Sequence, residues 1–203
     1  MKISVIMPVH ITEEYPGCAS NRQEKLIRAV DSFLAQSHED KELIVATDGC
    51  PTAVRIIKEH YPCKREIVLL ELERHPLFTG AVRQKAIDAA TGDILCNLDA
   101  DDYFERSHLT SIAYSFPEDI DWAYWNHYIR PDNIKDVNHL WECDGTLERM
   151  NNASYAWRRG LPVTWEGCDG RQDNKQFIPQ LLELPNRKKI FGCGYIVTNI
   201  QIK

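Results

Sequence analysis

The chain has 203 residues, 43% of them hydrophobic and 27% charged, with a formal net charge of -6 and seven scattered cysteines. That length carries one sizeable core; the acidic balance argues against wholesale neutralisation of a nucleic-acid backbone, and an odd number of cysteines with no C-x-x-C pair argues against a disulfide framework or a zinc ribbon. The apolar run at residues 1–7 is too short for a signal peptide and no stretch approaches the ~18 apolar residues of a membrane span, so the expected setting is a reducing cytoplasm, in solution or peripheral to a membrane.

Residues 3–7 form a short β-rich apolar run stopped by Pro8, which predicts a buried strand opening directly into a loop. Ser20 with Gln23 three residues on is a capping-box pattern, and Leu26, Ile27, Val30, Phe33 and Leu34 then share one helical face. Residues 43–46 repeat the strand pattern and end at Asp48-Gly49, with Pro51 suited to a first helical turn. A third strand over 67–72, a small-residue helix over 81–90 stopped by Gly92, and a fourth strand over 94–98 complete an alternation that predicts a mostly parallel α/β sheet. Ligands of such sheets sit beyond the carboxyl ends of the strands. Three polar clusters fall there: Pro8 to His10, Thr47 to Gly49, and Asp99 to Asp102. The second half is less regular, carries all five tryptophans, and has a last clear helical pattern near 175–184. One domain is expected over 1–203, with a regular half over 1–102 and a less regular half over 103–203.

In an extended segment residues i and i+2 face the same way, so Asp99 and Asp101 project together while Asp102 begins a turn. Converging carboxylates repel one another and raise their pKa values unless a cation compensates. Hard oxygen donors suit Mg²⁺ or Mn²⁺, which complete their octahedra with waters and substrate phosphates. Standing alone, such a cluster is also what a solvated turn or helix cap looks like; its place at the end of a buried strand favours metal. Asp48 offers an acceptor for N–H or hydroxyl groups of a base or ribose. Arg83 offers a fork for phosphate or for the aspartates.

Several segments then resemble the family 2 glycosyltransferases of the GT-A fold. They are Ser4-Val5-Ile6-Met7-Pro8-Val9, Arg28-Ala29-Val30-Asp31-Ser32-Phe33-Leu34, Glu42-Leu43-Ile44-Val45 with Asp48-Gly49, Gly80-Ala81-Val82-Arg83-Gln84, and Leu98-Asp99-Ala100-Asp101-Asp102. The resemblance is dense over the first half and loose over the second. It implies an inverting, metal-dependent transfer of a sugar from a nucleotide diphosphate, usually UDP-linked, to an acceptor hydroxyl. In that reading Pro8 and Val9 line the base pocket, Asp48 binds uracil or ribose, and Arg83 sits near base and phosphates. Asp99, Ala100 and Asp101 belong to the ribose and metal contacts, and Asp101 or Asp102 is the direct ligand of Mn²⁺ or Mg²⁺.

Breaking the anomeric C–O bond develops positive charge on the sugar and negative charge on the departing diphosphate, and an acid side chain must take the acceptor proton. Glu166, Asp169 and Asp173 are available; Asp173 is the expected base, because the family carries an acidic pair before an amphipathic helix, although Gln172 replaces its first member here. Asn151 to Ser154 resembles the family's acceptor-side segment. Thr47 replaces the first acid of the family's Asp-Asp-Gly and His10 stands where Tyr or Asn is usual. His127 and His139 are candidate further ligands that more often serve structure, and Arg187-Lys188-Lys189 reads as a solvated charge run. A nucleotidyltransferase needs a glycine-rich loop after the first strand, and a D-x-D phosphatase carries its acids there; the chain has neither. A non-catalytic sugar-nucleotide-binding module that regulates a partner is the competing reading.

Overall fold

Residues 1–11, 21–75, 80–131, 138–168 and 173–198 are described by a computed structural model. The first half alternates as its patterning predicts: β1 (Ile3–Val9), α1 (Arg22–Leu34), β2 (Lys41–Asp48), α2 (Pro51–His60), β3 (Ile67–Leu72), α3 (Gly80–Ala89) and β4 (Ile94–Asn97). The second half supplies β5 (Tyr103–Phe104), α4 (His108–Ser115), β6 (Trp122–Tyr124), β7 (His127–Ile129), β8 (His139–Trp141), β9 (Tyr155–Arg158), α5 (Asn174–Leu182), β10 (Arg187–Lys189) and β11 (Tyr195–Val197).

Seven strands form one sheet in the order β10-β6-β9-β4-β1-β2-β3, and four form a second in the order β5-β11-β7-β8. In the large sheet β1 lies parallel between β2 and β4, β3 lies parallel to β2, and only β9 runs antiparallel, inserted between β4 and β6. β1 continues through Pro8 to Val9, beyond the expected stop. Its pairing with β4 ends at Ile6↔Asn97, so the missing Pro8 N–H falls where only the β2 neighbour remains.

Side chains alternate across the sheet as strand geometry requires. Ile3, Val5, Met7 and Val9 of β1 pack with Leu26, Val30 and Phe33 of α1 on one face; Ile6 packs with Val82 and Ala86 of α3 and Phe177 and Leu181 of α5 on the other. Both cores draw residues from both halves of the chain. Trp122, Trp125, Trp157 and Trp165 are fully buried, which fits a core role for most of the aromatics.

Three local expectations shift. Helix α1 starts at Arg22 behind Asn21 in the left-handed region (φ 66°), without a side-chain cap, and Ser20 lies outside the described residues. Helix α3 ends at Ala89, ahead of Gly92, whose N–H instead donates to Ser4 Oγ (2.8 Å). The 187–189 charge run is strand β10 on the sheet edge; Arg187 and Lys188 are exposed, as charged edge residues are, and the Arg187 guanidinium lies over the Trp122 ring. Among the described residues no helix is long and apolar enough to cross a membrane.

Candidate active site

At the end of β2, Asp48 is buried and bound twice by the segment that follows β3. Arg74 Nη1 pairs with Oδ2, and the His75 N–H donates to Oδ1 (2.5 Å). Gly49 permits this approach: its φ is 56°, and a Cβ there would lie 2.6 Å from Arg74 Cβ. The His10 ring faces the same turn, with Nδ1 2.8 Å from the Asp48 carbonyl oxygen. A carbonyl can only accept, so Nδ1 carries the proton and Nε2 is left as the acceptor of the neutral ring. Pro8 is half-buried and Val9 fully buried beside it. Thr47 turns inward and donates to the Leu70 carbonyl (3.1 Å), so it contributes no charge to the site.

Arg83 stands one turn into α3 and is 3% exposed. Its Nη2 donates to Asp99 Oδ1 (2.7 Å), its Nη1 to Asn97 Oδ1 (3.2 Å), and its Nε lies 3.6 Å from Asp173 Oδ2. The guanidinium also lies over the Trp165 ring, 5.1 Å from its centre. Burial alone would favour its neutral form, but Asp99 and then Asp173 more than offset this and hold its pKa above the ordinary value. Helix α3 is seated by close contact with the 164–168 segment: a Cβ on Gly80 would lie 2.0 Å from the Cys168 carbonyl oxygen, and Gln84 Oε1 accepts from the Trp165 N–H (2.9 Å).

The acidic turn follows β4 and is closed by the Asp102 N–H on the Asp99 carbonyl (3.0 Å). The Asp99 side chain is about one-third exposed and paired with Arg83; Ala100 and Asp101 are half-buried; Asp102 is buried. Burial, then the charge of Asp99, raises the Asp101 pKa, with Lys25 and Arg22 of α1 opposing. Burial, then Asp101 and Asp99, raises that of Asp102 well above the carboxylate range. The far end of the chain holds this turn. Thr198 N–H donates to Asp102 Oδ1 (2.8 Å), Thr198 Oγ1 donates to the Asp101 carbonyl (2.5 Å), and the Tyr195 hydroxyl accepts from the Asp99 N–H (2.9 Å). Arg28 of α1 donates to the Asp101 carbonyl (2.9 Å).

On the other side Asp173 caps α5, its Oδ1 accepting from Asn174 N–H (2.7 Å) while Oδ2 faces Arg83. Glu166 is exposed, and Asp169 and Gln172 lie outside the described residues. Asn151 shapes a turn before β9, its Oδ1 accepting from Ala153 N–H (3.0 Å) and its carbonyl from Ser154 N–H. His127 is buried against Trp141, with burial lowering its pKa to about 4, and His139 lies exposed on β8. Arg83 thus unites Asp99 and Asp173, the acidic turn sits beside them, and Asp48 marks a separate strand end two strands away.

Among the described residues no group of three His, Cys, Asp or Glu is arranged as a complete metal site. The donor set nevertheless suits Mg²⁺ or Mn²⁺, because Asp99, Asp101 and Asp102 offer carboxylate oxygens from one turn and such ions draw most of their shell from water and phosphate.

The mostly parallel sheet, with its acidic turn at the carboxyl end of β4, is a GT-A fold. The chain belongs to glycosyl transferase family 2, whose model it matches over residues 17–168. Among relatives, it is 28% identical over 129 residues to "Glycosyltransferase GlyA" of Streptococcus pneumoniae, covering 63% of this chain and 17% of that protein. Among solved structures, it superposes on S. aureus TarS 1-349 in complex with UDP-GlcNAc with a TM-score of 0.74 at 19% identity, covering 100% of this chain and 60% of that one. The mannosyltransferase PcManGT from Pyrobaculum calidifontis, in complex with GDP-Man and Mn²⁺, gives 0.65 at 16% identity, over 97% and 56% of the two chains. The chain therefore spans only part of the length of the proteins it resembles.

Proposed function

We propose that the chain is a metal-dependent, inverting glycosyltransferase that moves a sugar from a nucleoside diphosphate, UDP in first place, to an acceptor hydroxyl. The observation that carries this reading is that one buried guanidinium, Arg83, holds a carboxylate of the strand-end turn and the carboxylate that caps α5. Donor-side and acceptor-side acids are thereby fixed about a common point, as a displacement at one carbon requires. The UDP-GlcNAc and GDP-Man with Mn²⁺ bound by the two structural neighbours support the donor class.

Pro8 and Val9 flank the base, with Asp48 in its Arg74 and His75 cradle closing that end. Asp99 and Ala100 face ribose, Arg83 stands beside the diphosphate, and Asp101 and Asp102 form the metal side. A cation bound there supplies Lewis-acid stabilisation of the departing diphosphate. Asp173 takes the acceptor proton as the acceptor oxygen bonds to the anomeric carbon and the sugar–phosphate C–O bond breaks, its electron pair leaving on the nucleoside diphosphate. Residues 1–102 serve chiefly the donor and 103–203 the acceptor. Six free cysteines among the described residues support a reducing cytoplasmic setting.

The test supplies Mn²⁺, a panel of UDP-, GDP- and dTDP-sugars and candidate acceptor hydroxyls, and follows nucleotide release and transfer. Asp101→Ala is expected to abolish the Mn²⁺ dependence of donor binding, and Asp173→Asn to lower turnover by 10²-fold or more on the scale of general-base loss. Near-normal turnover of Asp173→Asn removes that residue as the base. Donor binding without transfer across the panel favours the non-catalytic module.

A further inference from the structure

The acidic turn gathers three carboxyl side chains within four residues, so something must fix its backbone before it can present ligands at a set geometry. The residues that do so come from the other end of the chain. Tyr195 OH meets the Asp99 N–H, Thr198 Oγ1 meets the Asp101 carbonyl, and Thr198 N–H meets the Asp102 carboxylate. The Thr198 hydroxyl is saturated, since it also accepts from Arg28 Nη2 (3.1 Å) and Lys25 Nζ (3.5 Å) of α1. Strand β11 is itself fixed by antiparallel pairing with β5, immediately after the turn (Tyr195↔Phe104, Ile196↔Tyr103), and by parallel pairing with β7. The Tyr195 ring is fully buried, edge-on to Phe104 and His108. Both residues lie beyond the segment that matches the family.

We propose that β11 sets the conformation of the acidic turn, with Tyr195 and Thr198 as positioning residues and Asp102 as the anchor that Thr198 holds, so that Asp101 is the carboxylate presented to the cation. This inference rests on the proposed donor and metal reading. Asp102 is buried with one carboxylate oxygen on the Thr198 N–H, which ties it to the fold. Asp101 is fixed through its carbonyl, which leaves the orientation of its side chain to the site. Groups that orient a metal ligand typically change metal affinity by 10–100-fold when lost.

The test compares the full chain with Tyr195→Phe, Thr198→Val and Thr198→Ser. Phe keeps the buried ring and Val the shape, so each removes only a hydroxyl; Ser restores one. Hydrogen exchange of the 99–103 amides is expected to quicken about five- to tenfold in the Phe and Val variants, the scale of one hydrogen bond, and to stay near wild type in the Ser variant. Titration of Mn²⁺ in the presence of UDP is expected to show an affinity loss of about tenfold or more for Phe and Val, with rescue by Ser. A donor KM that rises with these losses while thermal unfolding is unchanged supports positioning rather than folding. Faster exchange with unchanged Mn²⁺ affinity overturns the inference, as does unchanged exchange. Wild type that binds neither UDP-sugar nor Mn²⁺ removes the proposed function and the inference together. Wild type that binds both while Phe and Val bind equally well overturns the inference alone.

Discussion

Replacing Arg83 with methionine tests whether the guanidinium is the strut of the site. The side chain is 3% exposed and holds Asp99 at 2.7 Å, Asn97 at 3.2 Å and Asp173 at 3.6 Å. Methionine fills much of the volume, so the main loss is charge and donors. Removing one partner of a buried ion pair costs about 3–5 kcal/mol when the remaining charge stays dry. Here Asp99 is 34% exposed and rehydrates, whereas Asp173 is 10% exposed and does not. The lower end, about 3 kcal/mol, is therefore expected, equivalent to a Tm fall of about 6–12 °C for a chain of this size. Lysine keeps the charge but cannot serve Asp99 and Asn97 with two fixed donors, and should cost about 1–2 kcal/mol. Urea unfolding with an unchanged m-value reads both. A double-mutant cycle of Arg83→Met with Asp173→Asn should return a coupling of about 1–2 kcal/mol. An Arg83→Met chain within about 0.5 kcal/mol of wild type, or a cycle that closes with no coupling, would refute the strut.

Three further outcomes follow from other parts of the fold. Glu42 accepts from Lys2 Nζ, Ser4 Oγ and Thr91 N–H; burial alone would raise its pKa, but these bonds bring it from 4.5 to about 2. Its stabilising contribution, about 2 kcal/mol after solvent screening, is thus complete above pH 4.5 and lost as pH falls toward 2; Glu42→Gln should flatten that limb in pH-dependent urea unfolding, and an unaltered limb rejects the assignment. His108 is fully buried among Phe104, Trp125 and Tyr195, both ring nitrogens lack hydrogen-bond partners among the described residues, and burial lowers its pKa to about 3. Protonation favours the unfolded chain from pH 6.5 downward, so His108→Phe should gain about 1 kcal/mol at pH 7 and more at pH 5, and a destabilised variant at pH 5 contradicts this. Gly80→Ala places a Cβ 2.0 Å from the Cys168 carbonyl oxygen and should cost about 1–3 kcal/mol by thermal unfolding; a cost below 0.5 would show that the 165–168 segment gives way freely.

The parts of the molecule legible in the sequence are those encoded locally. Buried parallel strands read as continuous apolar runs, so β1 to β4 stand out, and the acids at their carboxyl ends follow from topology. What is not legible is set by contacts between distant segments. Arg74 and His75 reach Asp48 from 26 and 27 residues away, across the β3 crossover, and no local pattern marks them. Asp173 satisfies a helix N-terminus and faces Arg83 at once, so capping and site roles share a single side chain that sequence spacing alone cannot apportion. The 187–189 run shows the same ambiguity, because an edge strand and a solvated tail favour the same lysines and arginines.

The insertion of β9 between β4 and β6 has a functional consequence. It makes the second half part of the sheet that carries the acidic turn, and the second sheet then brings β11 back against that turn from 96 residues away. The segment that matches the family ends at residue 168, yet Tyr195 and Thr198 add a bond to each of Asp99, Asp101 and Asp102, beside those from Arg83 and Arg28. An Asp-x-Asp motif specifies which oxygens are available; in the proposed arrangement, where they point is set by the strand that closes over them. On the proposed metal and donor reading, substitutions in β11 should therefore act on metal and donor binding as strongly as substitutions beside the motif itself, although nothing in their local sequence announces a site.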